Sequence, residues 1–256
     1  MCLIVFSYKQ HSQYPVIFAA NRDEHYRRSS REAQFWDENP NILAGRDLKA
    51  GGTWMGINKQ GEFSAITNYR DPAIEKENPP SRGKLVLDFL QTDEHAQAYL
   101  SALQSRADQY MGFSLLAGSL DQLGYYSNQQ NDIHFLDSGL YGLSNHLLET
   151  PWPKVRLAKR KLQELMNDHS ISPGSIFELL ADDREAPEKE LPDTGIPLEV
   201  EKKVSPIFIK SDGYGTRCST VLLIDHHGEV TFAERRFKAG SMEAKEENRY
   251  TFSIEK

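Results

Sequence analysis

A cysteine stands at position 2, and the apolar run Leu3-Ile4-Val5-Phe6 begins directly after it. The run reads as a strand, which puts Cys2 at a strand end. Methionine is usually trimmed when the next residue is small, and trimming would leave Cys2 with both a thiol and a free α-amine. An α-amine has a reference pKa of about 7.7–8.0, so near neutral pH a useful fraction can take the thiol proton. Nucleophile and base would then share one residue. The plainer reading is a small buried strand residue, a common place for free cysteine.

Charge and composition exclude several classes. The 256-residue chain carries a net charge of −7, which argues against nucleic acid and against docking on anionic membranes. Its length can bury a large core, and the expectation is one α+β domain over residues 1–256. Two cysteines make no disulfide framework, which fits a reducing compartment and a cytoplasmic protein. Tyr8-Lys9-Gln10-His11 interrupts the first apolar run, so no secretory signal is expected. No stretch reaches the roughly 18 apolar residues of a membrane span.

Strand patterns open the chain. Residues 3–8 and 16–20 read as one hairpin, and residues 54–57 and 63–67 as a second around Asn58-Lys59-Gln60-Gly61. Gly51-Gly52 fits an ordinary turn or a close approach by a ligand. A helix capped by Ser81 would bury Leu85, Val86, Phe89 and Leu90. A second, after Thr92, would bury Ala96, Tyr99, Leu100 and Leu103. Strands return at residues 113–118, 124–127, 133–136 and 140–143. Helices follow at residues 153–169 and from Ser172-Pro173 onward, with Pro153 suited to a first turn. Residues 182–197 are acidic and Pro-containing and read as a mobile surface loop. Strands are expected again at 204–209, 219–224 and 229–233, with an edge strand at Tyr250-Thr251-Phe252. The order suits two antiparallel sheets packed face to face with helices outside.

Asn21-Arg22-Asp23-Glu24 falls where the second strand is expected to leave its sheet. If strands one and two pair, Cys2 lies beside this cluster. A guanidinium there favours thiolate, and a carboxylate can hold the α-amine or the arginine. A surface turn with a local ion pair is the plainer alternative. Other signals are poor. His226-His227 do not suit a metal, because adjacent strand residues face opposite ways. His146 is a candidate axial haem ligand or, more simply, a hydrogen-bonded structural histidine. Cys218 reads as buried, and Trp36, Trp54 and Trp152 as core, although Trp54 and Trp152 stand beside motif residues. Arg27 and Arg28 could meet an anionic ligand, with solvated charge as the default reading.

Met1-Cys2 followed by Asn21-Arg22-Asp23-Glu24 resembles the opening of the NRDE protein family, which includes the transport-and-Golgi-organisation proteins. Further pieces match in order. They are Gly51-Gly52-Thr53-Trp54-Met55-Gly56, Thr67-Asn68-Tyr69, Ser81-Arg82-Gly83, Gly142-Leu143-Ser144-Asn145-His146, Thr150-Pro151-Trp152-Pro153-Lys154 and Thr216-Arg217-Cys218-Ser219-Thr220. The ordered set spans most of the chain. The family is linked to haem trafficking and to lipid or acyl-CoA metabolism, which implies haem or acyl-CoA as cargo.

The opening, the arginine cluster and the hairpin leading to Asn68 are also similar to N-terminal-nucleophile amidohydrolases of the choloylglycine hydrolase and penicillin V acylase type. That resemblance implies a four-layer αββα sandwich. It also implies Cys2 as nucleophile, Arg22 with Asp23 or Glu24 as electrostatic partners, and Asn68 and Asn145 around the reacting carbonyl. Arg217 would be the late arginine of that group. Those hydrolases read Arg-Asn-x-Asp where this chain reads Asn-Arg-Asp-Glu, so both carboxylates stay in play. Gly52, Trp54, Tyr69, His146 and Trp152 are the candidate ligand-binding residues. The leading expectation is a cysteine hydrolase of a small amide or acyl compound that needs no cofactor. The rival is a haem or acyl-CoA binding protein using the same pocket without turnover.

Overall fold

The first strand serves two cores at once. Ile4 and Phe6 face one apolar cluster, while Leu3 and Val5 face another on the opposite side. The computed structural model describes residues 2–255; Met1, on which the expected trimming bears, lies outside the described residues. The chain opens with β1 (Cys2–Tyr8), β2 (Val16–His25), β3 (Ser30–Trp36), β4 (Asn39–Asp47), β5 (Met55–Asn58) and β6 (Phe63–Asn68). Helices α1 (Gly83–Gln91) and α2 (Ala96–Gln104) follow, then β7 (Phe113–Gly118), β8 (Leu123–Ser127), β9 (Asp132–Phe135) and β10 (Gly139–Leu143). Next come α3 (Pro153–Asn167), α4 (Pro173–Leu180) and α5 (Leu198–Lys203). β11 (Lys210–Ser211), β12 (Tyr214–Ile224), β13 (Glu229–Phe237) and β14 (Ala244–Ser253) end the described chain.

These strands form two seven-stranded antiparallel sheets. One is a meander in chain order from β3 to β9. The other runs β10-β1-β2-β12-β13-β14, with β11 added on β12. Between them Phe6, Phe18, Phe63, Leu116 and Phe232 build the central core. The outer face of the meander is covered by α1 and α2 through Leu85, Phe89, Tyr99 and Leu100. The outer face of the other sheet is covered by α3 and α4 through Val155, Leu162, Ile176 and Phe177. The result is the expected αββα order, each helix laying one apolar stripe on a sheet.

Several elements differ from expectation. β2 does not end at Ala20 but continues through the whole Asn-Arg-Asp-Glu quartet to His25. β3 and β4 carry no clear sequence period and were not expected. Residues 204–209 are buried but are not a strand. The residue at the N-cap of α1 is Arg82 rather than Ser81, whereas α4 has a full Ser172–Ser175 capping box. The acidic stretch 182–197 is mostly exposed, yet Asp182 is held by Lys161 and Arg184, and Ala186 is buried. The edge strand β14 is longer than Tyr250-Thr251-Phe252. No helix of the described residues is long and apolar enough to cross a membrane.

Candidate functional site

Because β2 runs through the quartet, the period of two splits it. Cys2 pairs across the ladder with Arg22, and on its other side β2 pairs Arg22 with Cys218 of β12. Arg22 lies over the Trp54 ring at 4.4 Å, between the sheets. Asn21 and Asp23 point the other way, toward the helical layer. Asn21 Nδ2 donates to the carbonyls of Leu180 and Ile207 at 2.9 Å, and its Oδ1 accepts from Ser219 Oγ at 2.5 Å. Asp23 Oδ1 accepts from Thr216 Oγ1 at 2.7 Å. The Ser144 hydroxyl donates to the Cys2 carbonyl at 3.0 Å, fixing the strand end from the β10 side.

Cys2 opens onto a cleft of about 340 Å³ at this end of the sandwich. Arg22, Glu24, Arg28, Trp54, Asn68 and Arg82 are among the side chains that line it. Burial pushes the Cys2 thiol above its ordinary range, and Asp23 adds to this, while Arg22 and the Asp23 backbone N–H oppose it. The expected preference for thiolate is therefore outweighed by desolvation. Asp23 is also pushed up by burial, against the pull of Lys154. Lys154, at the start of α3, is 3% exposed and donates to the Val204 carbonyl at 3.0 Å. Burial brings its ammonium down to about 8. A buried carboxyl and a buried amine thus sit in the layer beneath the thiol.

The other expected residues fall in four places. Asn68, at the end of β6, reaches the cleft. Asn145 is fully buried and donates from Nδ2 to the Asn68 carbonyl at 3.1 Å. It supports Asn68. Tyr69, His146 and Trp152 form an aromatic group beside this pair. His146 bonds Tyr69 Oη through Nε2 and Thr150 Oγ1 through Nδ1, both at 2.8 Å. Arg70 lies over Trp152 at 4.8 Å and pairs with Glu201 at 2.6 Å. Arg217 stands at the bulge of β12, where its Nη1 donates to the carbonyls of His25, Tyr26 and Arg28. It holds the turn after β2 from outside the cleft. Gly52 does meet a close approach, but from the backbone of Gly83: a Cβ there would lie 2.4 Å from the Gly83 carbonyl carbon.

Three residues around Cys2 had no role in the sequence reading. Arg82 on the cleft wall and Lys154 in the layer beneath stand inside quoted motifs, so the signal was there without an assignment. Asp47 had none, and Arg28, read as solvated charge or a contact for an anion, is held on the cleft wall by Asp47. Arg28 donates from Nε and Nη2 to Asp47 Oδ2, both at 2.7 Å. A haem needs an open axial donor and an apolar slot. His146 has both ring nitrogens engaged, and the cleft is lined by Arg22, Glu24, Arg28, Asp47, Lys49 and Arg82. His146 therefore offers no free ring nitrogen to a haem iron. Among the described residues there is no cluster of three or more side chains suited to a metal ion.

Solved structures share this architecture. The chain superposes on penicillin V acylase from Agrobacterium tumefaciens with a TM-score of 0.51 at 12% identity, covering 98% of this chain and 86% of that one. A Cys-to-Ala mutant of conjugated bile acid hydrolase from Clostridium perfringens gives 0.51 at 9% identity, over 99% and 98% of the two chains. The fold is that of the N-terminal-nucleophile hydrolases. The family model described as Transport and Golgi organisation 2 matches residues 1–239. The chain is 36% identical to the Transport and Golgi organization 2 homolog of Mus musculus over 276 residues, covering 100% of each. Identity to the Homo sapiens homolog over the same coverage is also 36%. The protein belongs to the Transport and Golgi organisation 2 family.

Proposed function

We propose that the protein is a cysteine amidohydrolase acting on a small amide or acyl compound, with Cys2 as nucleophile once Met1 is removed. One observation carries this reading: Cys2 lies on the wall of a polar cleft, paired with Arg22, in a fold that penicillin V acylase shares. The Cys2 amine takes the thiol proton as sulfur attacks the carbonyl carbon. Asn68, oriented through Asn145, donates to the developing oxyanion. The amine then protonates the departing nitrogen, the C–N bond breaks, and a thioester remains on Cys2. Water cleaves the thioester and restores the thiol.

The second reading is a carrier of an acyl compound. It is supported by the transport named in the family's description and by a thiol that burial keeps protonated. Mass spectrometry separates the two. Protein freed of Met1 is incubated with a panel of acyl amides and thioesters. The hydrolase gives an acyl adduct on Cys2 and released product. Asn68→Ala slows turnover by roughly 10²–10³-fold with ground-state binding nearly intact. Stoichiometric binding that survives Cys2→Ala, with no adduct and no product, overturns the hydrolase in favour of the carrier.

A further inference from the structure

Arg22 has Cys2 on one side and a buried carboxyl on the other. The ladder sets Cys2, Arg22, Cys218 and Arg236 in one row across β1, β2, β12 and β13. Glu234 stands two residues from Arg236 on the same face of β13 and is 2% exposed. Its Oε1 accepts from the Ala33 N–H of the opposite sheet, and the Cys218 thiol donates to its carboxyl. Its Oε2 approaches Gly45 of β4, where the Trp54 ring also arrives. A Cβ on Gly45 would lie 3.3 Å from that oxygen and 2.5 Å from Trp54 Cζ2. Arg22 covers the face of the same ring. Carboxyl, indole and guanidinium thus follow one another between the sheets, with Cys2 beyond the last.

The charges around Glu234 leave one cation for it. Arg236 is taken: its Nη1 donates to Glu32 of β3 at 2.9 Å and to Glu246 of β14 at 3.4 Å, and its Nη2 to the Ser30 carbonyl. From β14, Asn248 opposite Glu234 is neutral and Tyr250 adds a phenol. Arg22 is not taken. Its ion pair with Asp47 of β4 is long at 3.8 Å, and Asp47 is itself held by Arg28 at 2.7 Å. Arg22 Nη1 is buried with no hydrogen-bond partner among the described residues, a state that native proteins rarely leave unexplained. Burial holds the Glu234 proton up to about 7, against the pull of Arg236 and Arg22. Loss of that proton puts a buried anion near an uncommitted guanidinium.

We propose that Glu234 is a positioning residue for Cys2, acting through Arg22. With its proton, Glu234 leaves the guanidinium to the thiol. Without it, the carboxylate takes up Arg22 Nη1 along the edge of Trp54, and Arg22 favours the Cys2 thiolate less. The device acts on the thiol itself, so it serves a hydrolase and a carrier alike. Cys2 reactivity then climbs less steeply through neutral pH than one isolated thiol allows.

Alkylation rates of Cys2 in the full chain, read by peptide mapping from pH 5 to 9, test this. An isolated thiol below its pKa gains about tenfold in rate per pH unit. Wild type should gain less than that between about pH 6 and 8, where Glu234 loses its proton. Glu234→Gln, which keeps an acceptor for Ala33, should match wild type at about pH 5 and be about three- to tenfold faster at about pH 9. In an Arg22→Gln background the same change should make less than about a twofold difference. Cys218→Ala removes a donor that favours the carboxylate, so the break in slope should move to higher pH. Circular dichroism and thermal unfolding check that each variant folds; should Glu234→Gln fail, Cys218→Ala carries the test. Equal rates at every pH, a ratio that stays constant with pH, a divergence undiminished without Arg22, or an unmoved break in Cys218→Ala overturns the proposal.

Discussion

Cys2 and Cys218 are both free thiols, and their surroundings set them apart. Cys2 is half-buried on the cleft wall, whereas Cys218 is buried in β12 against Glu234, with its thiol pushed well above the ordinary range. Alkylation followed by peptide mapping should label Cys2 first at every pH. Its rate should keep climbing above the ordinary thiol range, since burial raises that thiol too. Arg22 works against this rise, so Arg22→Ala should move the Cys2 labelling profile to still higher pH. An unmoved profile together with a large fall in melting temperature would make Arg22 a packing residue. At this scale the sequence marked the quartet but not its geometry. Four polar residues in a row read as a strand leaving its sheet. The partners of Asn21 and Asp23, namely Thr216, Ser219 and the carbonyls of Leu180 and Ile207, are more than a hundred positions away and hold these two inside it.

Elements with their own period were legible, and those satisfied from a distance were not. α1 and α2 bury the apolar residues their spacing marks, and β7 keeps its expected bounds. β3 buries only scattered positions, so no alternation announced it. Residues 204–209 show the converse. Pro206 lacks a donor, and the flanking backbone pairs with single distant groups: Phe208 N–H with the Asp182 carbonyl, Ile209 N–H with Thr216 Oγ1. Apolar content alone therefore imitated a strand. Between β4 and β5 the chain turns at Gly51, whose φ of 76° favours glycine, and Gly52 then lies against Gly83. Gly52→Ala would drive a Cβ into backbone that has no side chain to move aside. It should lower stability by about 1–3 kcal/mol in denaturant titrations and weaken binding in the cleft, because the displaced segment leads into Thr53 and Trp54.

Across the whole molecule, one buried side chain ties the two sheets together. Glu234 of β13 accepts from the Ala33 N–H of β3 at 2.8 Å, and burial pushes its carboxyl up to about 7 against the pull of Arg236 and Arg22. The folded protein keeps this proton in a range where the unfolded chain has released it. The Glu234 contribution to stability is therefore whole at acid pH, falls as pH rises from the ordinary carboxylate range through about 7, and is flat beyond. Glu234→Gln keeps an acceptor for Ala33. Compared with wild type it should gain stability across that window, by up to about 3 kcal/mol, in parallel melts from pH 5 to 8. A constant difference between the two proteins would show that Glu234 does not titrate there. At the far edge of the same sheet, β14 covers β13 along its length, from Glu229 opposite Ser253 to Phe237 opposite Ala244. Its outward face is polar and carries Lys245, Glu247 and Arg249. A chain cut after residue 243 would uncover a long row of unpaired backbone donors and acceptors on β13, together with the apolar ground under Tyr250 and Phe252. Such a chain should form dimers or larger aggregates by strand addition in size-exclusion chromatography. The last strand is thus a guard against self-association, at the margin of the sheet whose interior holds Cys2.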